Sequence, residues 1–108
     1  MGHTLGEFEQ LVLLALAHLG DEAYGVTIHE EIARRAQRES SLGAVYKTLL
    51  RLEHKSLVES WAGQPSSRRG GRRKKHYRLA PAGARELQRS LAALRSMTRG
   101  LSPHLELP

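Results

Sequence analysis

Seven cationic side chains, Arg68, Arg69, Arg72, Arg73, Lys74, Lys75 and Arg78, fall within eleven residues that contain no acid. Removing them from the formal net charge of +6 leaves the remainder near −1. A near-neutral chain with one concentrated cationic segment is suited to a polyanion, first a nucleic acid and second an anionic membrane surface. Other chemistries have little to work with. The chain has no cysteine, which excludes disulfides, thiolate zinc sites and cysteine nucleophiles. The six histidines, His3, His18, His29, His54, His76 and His104, include no pair at i,i+3 or i,i+4 spacing. The run His29-Glu30-Glu31-Ile32-Ala33 lacks the second histidine of a zincin helix, Asp21 is the only aspartate, and no glycine-rich phosphate loop follows a strand. No catalytic residue, metal site or cofactor site is read from the sequence, and an enzyme is not expected.

The elements that must position the cations follow from hydrophobic period. At 108 residues the chain is expected to form one domain, burying roughly 60–70% of its unfolded surface. Leu5, Phe8, Leu11, Val12, Ala15, Leu16 and Leu19 keep a helical rhythm, which Gly20 is placed to end. Leu13 and Leu14 widen the stripe, so this helix is expected to be buried on more than one side. A second helix is expected over Tyr24–Ala36, with Ile28, Ile32 and Ala36 inward. Glu30 and Glu31, four residues before Arg34 and Arg35, would then mark its solvated face. Ser40 or Ser41 can cap a third helix, Leu42–Lys55, whose apolar set is Leu42, Val45, Tyr46, Leu49 and Leu52, with Leu50 wider of the stripe. The period then becomes two at Leu57–Trp61 and again at His76–Leu79, two strands joined by the polar, basic stretch 63–75. Trp61 is placed to close the core under this hairpin. Pro81 suits the first turn of a last helix, along which Leu87, Leu91, Leu94 and Leu101 fall at heptad-like spacing beside Met97.

This order describes a mostly α fold with a small β-hairpin: a winged helix-turn-helix over residues 1–80, a C-terminal dimerisation helix over 81–101 and a frayed tail over 102–108. A helix entering a groove about 12 Å wide needs small leading residues, here Gly43 and Ala44, while Lys47 and Arg51 can reach phosphates or base edges. The basic wing supplies a sequence-blind grip on the backbone or the minor groove. Tyr46 reads as a packing residue whose hydroxyl could touch a phosphate. Three helices and a hairpin suffice for the core, so Leu87, Leu91, Leu94 and Met97 are expected to form the seam of a homodimer.

The segments Ala23-Tyr24-Gly25-Val26-Thr27-Ile28, Ser41–Glu53, Leu57-Val58, Gly70–Leu79 and Pro81-Ala82-Gly83 resemble the PadR family of bacterial transcriptional regulators, and the resemblance runs from about Leu5 to Leu94. It implies a winged helix-turn-helix, homodimerisation through the C-terminal helix with help from the first helix, and repression at inverted-repeat half-sites of double-stranded DNA. It also implies DNA contacts at Tyr24, Ser41, Gly43, Ala44, Tyr46, Lys47 and from Arg68 to Lys75. Many relatives respond to small aromatic or lipophilic molecules. Here the short C-terminal part is expected to form no separate ligand domain, so an effector would have to bind at the dimer interface, and no residue supports one. Two positions depart from the pattern: Ala80 replaces a capping Thr or Ser, and Ser56 stands where Gly is usual after the recognition helix.

Three rivals are weighed against this reading. An RNA-binding winged helix would carry stacking aromatics, but none interleaves with the basic run. An enzyme lacks a constellation. A module binding acidic protein surfaces would show no preferred duplex sequence. No run of about 18 apolar residues could cross a bilayer. Glu7 and Glu9 precede the apolar run Leu11–Ala17 where a leader would be basic, so a cytoplasmic location is expected.

Overall fold

Helical period, one capping serine and two left-handed residues account for most of the framework. The computed structural model describes residues 5–65 and 73–101. Its helices are α1 (Glu7–Leu19), α2 (Gly25–Ala36), α3 (Leu42–His54) and α4 (Pro81–Thr98), with a single 3₁₀ turn at Gly20–Glu22 between α1 and α2. The strands β1 (Val58–Pro65) and β2 (Arg73–Leu79) lie between α3 and α4 and pair antiparallel. Val12, Leu13 and Leu16 of α1 meet Ile28 and Ile32 of α2, Val45, Leu49 and Leu52 of α3, and Leu57, Val58, Tyr77 and Leu87 in one core. Gly83 and Leu87 of α4 are buried in that body, and the Gln10 side-chain amide donates to Ser90 Oγ at 2.6 Å, tying α4 to α1.

The turn from α2 to α3 is short because both ends are chemically defined. Gln37 closes α2 in the left-handed region (φ 51°), and Ser41 Oγ accepts from the Ala44 N–H at 3.0 Å to start α3. At the far end of α3, Ser56 has φ 62°. Its N–H donates to Glu53 O at 3.0 Å and the Leu57 N–H donates to Leu52 O at 2.9 Å, the paired bonds of a Schellman closure. Leu52 and Leu57 are both in the core, supplying the apolar contact that accompanies it. The residue type in doubt at position 56 therefore does adopt the glycine-favouring conformation. Ala80 leads into α4 without a side-chain cap, and Pro81 occupies the first turn.

Several expectations are corrected by packing. The buried face of α3 is Val45, Thr48, Leu49 and Leu52, whereas Leu42, Tyr46 and Leu50 are exposed. Glu31 is buried rather than solvated, because both Arg34 and Arg35 fold over its carboxylate, and Ala36 is exposed. Trp61 lies outside the core, stacked on His76 with ring centroids 5.2 Å apart. The strands are longer than the alternation indicates, with Ala62 opposite Lys75 and, past an irregularity, Pro65 opposite Arg73. A third short edge adds to the hairpin. The Tyr77 N–H donates to Ala23 O at 2.9 Å and Tyr24 bridges His76, so the chain before α2 pairs with β2.

Candidate nucleic-acid interface

The exposed side of α3 is built by exclusion. With Val45, Thr48, Leu49 and Leu52 turned to the core, the helix must present Gly43, Tyr46, Lys47, Leu50, Arg51 and His54 outward. Ser41 and Gly43 are exposed and Ala44 is half-buried at its leading end. The Ser41 hydroxyl is engaged in capping, which leaves its remaining lone pair and its proton for another partner.

One flank of this face is cationic and anchored from α1. Glu9 is buried; its carboxylate accepts from the Gly6 N–H at 2.9 Å and from Lys55 Nζ at 2.8 Å, with Arg51 Nε 3.5 Å away. Burial pushes the Glu9 carboxyl up, but the Lys55 hydrogen bond, the Gly6 N–H and the charges of Lys55 and Arg51 outweigh it and hold the pKa below the ordinary carboxylate value. Lys47, Leu50, Arg51, His54 and Lys55 together line a shallow depression along this flank. Glu9 is thus the residue that fixes the tail of α3 and its cations, and sequence reading missed it. Its signal is an acid inside the apolar stripe of α1, four residues after Leu5 and three before Val12.

The other flank joins α2, α3 and the wing. Tyr24, Gly25, Val26 and Tyr46 line one groove with Arg73, Lys74 and Lys75 of β2. Lys74 Nζ lies 4.2 Å from the centre of the Tyr24 ring and donates to its hydroxyl at 3.1 Å. His76 meets the same ring edge-on, with centroids 5.4 Å apart, and one of its ring nitrogens, Nδ1, is 2.9 Å from Asp21 O. Lys75 points to the opposite face of β2, where it pairs with Glu53 at 3.3 Å. Glu53 also accepts from the Ser60 hydroxyl at 2.7 Å, the leading cause of its lowered pKa. Burial pulls the Lys75 ammonium down, but Tyr77 and Glu53 carry its pKa above the ordinary lysine value. The wing is therefore pinned to α3 from one face and to Tyr24 from the other.

Gly25 follows from this arrangement. A Cβ there would lie 2.3 Å from Tyr46 Oη and 2.4 Å from Cζ, so the ring can cross the start of α2 only where no side chain exists. The Tyr-Gly pair and the distant Tyr46 are one packing unit.

Of the expected contact residues, Tyr24 and Tyr46 share a groove with Arg73, Lys74 and Lys75, Lys47 and Arg51 line a separate depression on α3, and Ser41, Gly43 and Ala44 lie at the start of α3. Arg68, Arg69 and Arg72, and the tail 102–108, lie outside the described residues. Among the described residues no group of three or more His, Asp or Glu could hold a metal ion, and no helix is long and apolar enough to cross a membrane.

The sequence matches the family described as Transcriptional regulator PadR-like family over residues 13–89. The chain belongs to the PadR-like family. It is thereby a DNA-binding transcription regulator, and the four helices and two-stranded hairpin among its described residues have the winged-helix fold of that family. A PadR family transcription regulator from Clostridium difficile R20291 superimposes with a TM-score of 0.74 at 24% identity, covering 94% of this chain and 100% of that one. A PadR family regulator from Eggerthella lenta DSM 2243 gives a TM-score of 0.66 at 27% identity over 94% and 88% of the two chains. The PadR-like regulator of Bacillus cereus strain ATCC 14579 gives 0.72 at 21% identity over 94% and 93%, a likeness of fold alone. Comparison with curated proteins returns no match.

Proposed function

We propose that this PadR-like protein is a homodimeric repressor that reads an inverted-repeat operator, with α3 in the major groove and the wing on the backbone or in the adjacent minor groove. The observation that carries the reading is the shared groove, in which Tyr46 of α3 and Tyr24, Gly25 and Val26 lie against Arg73, Lys74 and Lys75 of the wing. A helix of small and cationic residues flanked by a second cationic element matches a duplex, in which phosphate rims flank a floor of base edges. Tyr24, Ser41, Gly43, Ala44, Tyr46, Lys47, Arg51 and the basic residues from Arg68 to Lys75 are the proposed contacts.

Dimerisation through α4 is supported by its outer half. Leu87 is in the chain's own core and Leu91 packs against it, but Leu94 is 53% and Met97 77% exposed, so the seam proposed here begins beyond Leu91. An exposed apolar pair on a helix that projects past its own core is a surface suited to a second copy. Selection of bound duplexes from a random pool tests the whole reading. A symmetric consensus with half-sites about one helical turn apart is expected, and equal binding of all duplexes would refute it. The Leu94→Glu, Met97→Glu double variant is expected to sediment as a monomer, and a persistent dimer would remove α4 as the seam.

A further inference from the structure

Six large hydrophobic side chains are exposed among the described residues. Leu94 and Met97 belong to α4. The other four, Val26, Leu42, Tyr46 and Leu50, lie on or beside the outer side of α3, with exposures of 42%, 37%, 46% and 53%. Leu42, Tyr46 and Leu50 are spaced four residues apart, so they form a continuous apolar stripe along the helix. Leu50 stands beside Lys47, Arg51 and His54, in the middle of the face rather than at its edge. An apolar stripe bordered on both sides by lysine and arginine is an unusual surface to leave to water.

We infer that this stripe reads thymine: Leu50, with Leu42 and Tyr46, packs against C5-methyl groups in the floor of the major groove. The inference rests on the regulator reading above and gives it a base preference. The residue inventory of α3 supports it. Leu42–His54 contains no Asn, Gln or Asp, so no side chain on it can make the paired hydrogen bonds that identify adenine. Its one acid, Glu53, already accepts from Ser60 and Lys75, which removes it as a reader of the cytosine amino group. What remains on the exposed side is the donors Lys47 and Arg51, the His54 ring and Tyr46 hydroxyl, neither of which can pair with adenine as an amide does, and apolar surface. Donors match the O6 and N7 acceptors of guanine, and among the base edges of the major groove only thymine presents a methyl group. The half-site is therefore expected to carry thymine and guanine on the bases under α3. The flanking cations, Lys47 and Arg51 on one side and Arg73 and Lys74 on the other, select a polyanion as the occupant of this apolar face over an apolar protein surface.

The test replaces each thymine of the selected operator, one at a time, with deoxyuridine, which removes the methyl group and leaves every hydrogen-bonding atom in place. Binding is measured by fluorescence anisotropy on the full-length protein. Each methyl buried under the stripe is expected to contribute about fourfold in affinity, the equivalent of one buried methyl group. In Leu50→Ala the thymine and deoxyuridine duplexes are expected to bind equally at the position Leu50 covers. Leu50 is half exposed, so that variant keeps its fold, which a thermal melt verifies. If a sequence consensus exists but deoxyuridine is tolerated at every position, the thymine inference is overturned and the regulator reading stands. If the selection gives no consensus at all, both fall.

Discussion

Replacing Gly25 with alanine should separate the fold of this protein from its grip on DNA. The added Cβ would meet Tyr46 Oη at 2.3 Å, Cζ at 2.4 Å and Cε1 at 2.6 Å. Unstrained carbon contacts lie near 3.5–4.0 Å, so the ring must retreat by about 1 Å or more. It has somewhere to go, because Tyr46 is 46% exposed and the atoms in collision are the far end of its side chain. The stability change is then the sum of two opposed effects. Ring burial is lost, roughly 1–2 kcal/mol for part of an aromatic side chain, and up to about 1 kcal/mol is recovered from the better helix propensity of alanine. The net loss should stay below about 2 kcal/mol, a fall in Tm of no more than about 16 °C for a domain of this size. Operator affinity should fall about tenfold, which is about 1.4 kcal/mol, because Tyr46 leaves the junction between α3 and the wing. Anisotropy titrations of Gly25→Ala, Tyr46→Ala and the double variant close the cycle. The Gly25→Ala penalty should vanish once Tyr46 is alanine. An equal penalty in both backgrounds, or a loss of stability above about 3 kcal/mol, would show that Gly25 serves the fold directly and that the Tyr46 argument is wrong.

Other expectations concern separate parts of the structure. Ser56→Gly should raise stability by about 0.5–1 kcal/mol, since a left-handed non-glycine residue is strained by about 1–2 kcal/mol and the gain is partly offset by the freer unfolded chain; an unchanged or lower Tm would refute it. Lys74→Ala should lower the slope of log affinity against log salt by about 0.9 per protomer, whereas Lys75→Ala should lower it less, because Glu53 already holds that ammonium; equal effects would contradict the opposite orientations of the two side chains. The lowered pKa of Glu9 means its contribution to stability is present above about pH 4.5 and is lost as pH falls through the folded-state value. Glu9→Gln should therefore be less stable at neutral pH but lose less on acidification to about pH 3, and parallel pH profiles of Tm for the two proteins would rule this out.

The order of elements was legible because each rests on local chemistry. Helical period placed α1 to α3, Ser40 or Ser41 marked the start of α3, Pro81 the start of α4, and the family pattern flagged position 56 as one where Gly is usual. What escaped depends on contacts distant in sequence. The apolar residues of α3 form a set too wide for one face, and only packing against the rest of the core decides that Thr48 turns inward while Leu42, Tyr46 and Leu50 turn out. Glu9 carried no structural role in the sequence because its partner Lys55 is 46 residues away. The basic stretch read as a loop because lysine and arginine carry little strand preference. Its last three residues pair all the same, since β1 continues opposite them.

The angle of the wing is the property on which the interface depends, and the hairpin does not set it alone. Two strands in isolation are marginal in water and would be free to swing about their base. Here β2 is held on three sides. Ala23 and Tyr24 pair with it along the backbone, Lys75 reaches Glu53 on α3, and Lys74 and His76 close over the Tyr24 ring. Tyr24 is also the residue from which α2 starts, where the Thr27 hydroxyl receives its N–H at 3.0 Å. One residue therefore fixes the start of α2, the edge of the sheet and the platform for a wing cation. Because Tyr46 crosses Gly25 immediately beside it, α3 is referenced to the same point. The two surfaces that a duplex would meet are thus set relative to one another through a few short-range contacts around Tyr24-Gly25, which gives that dipeptide a physical role beyond any contact of its own with DNA.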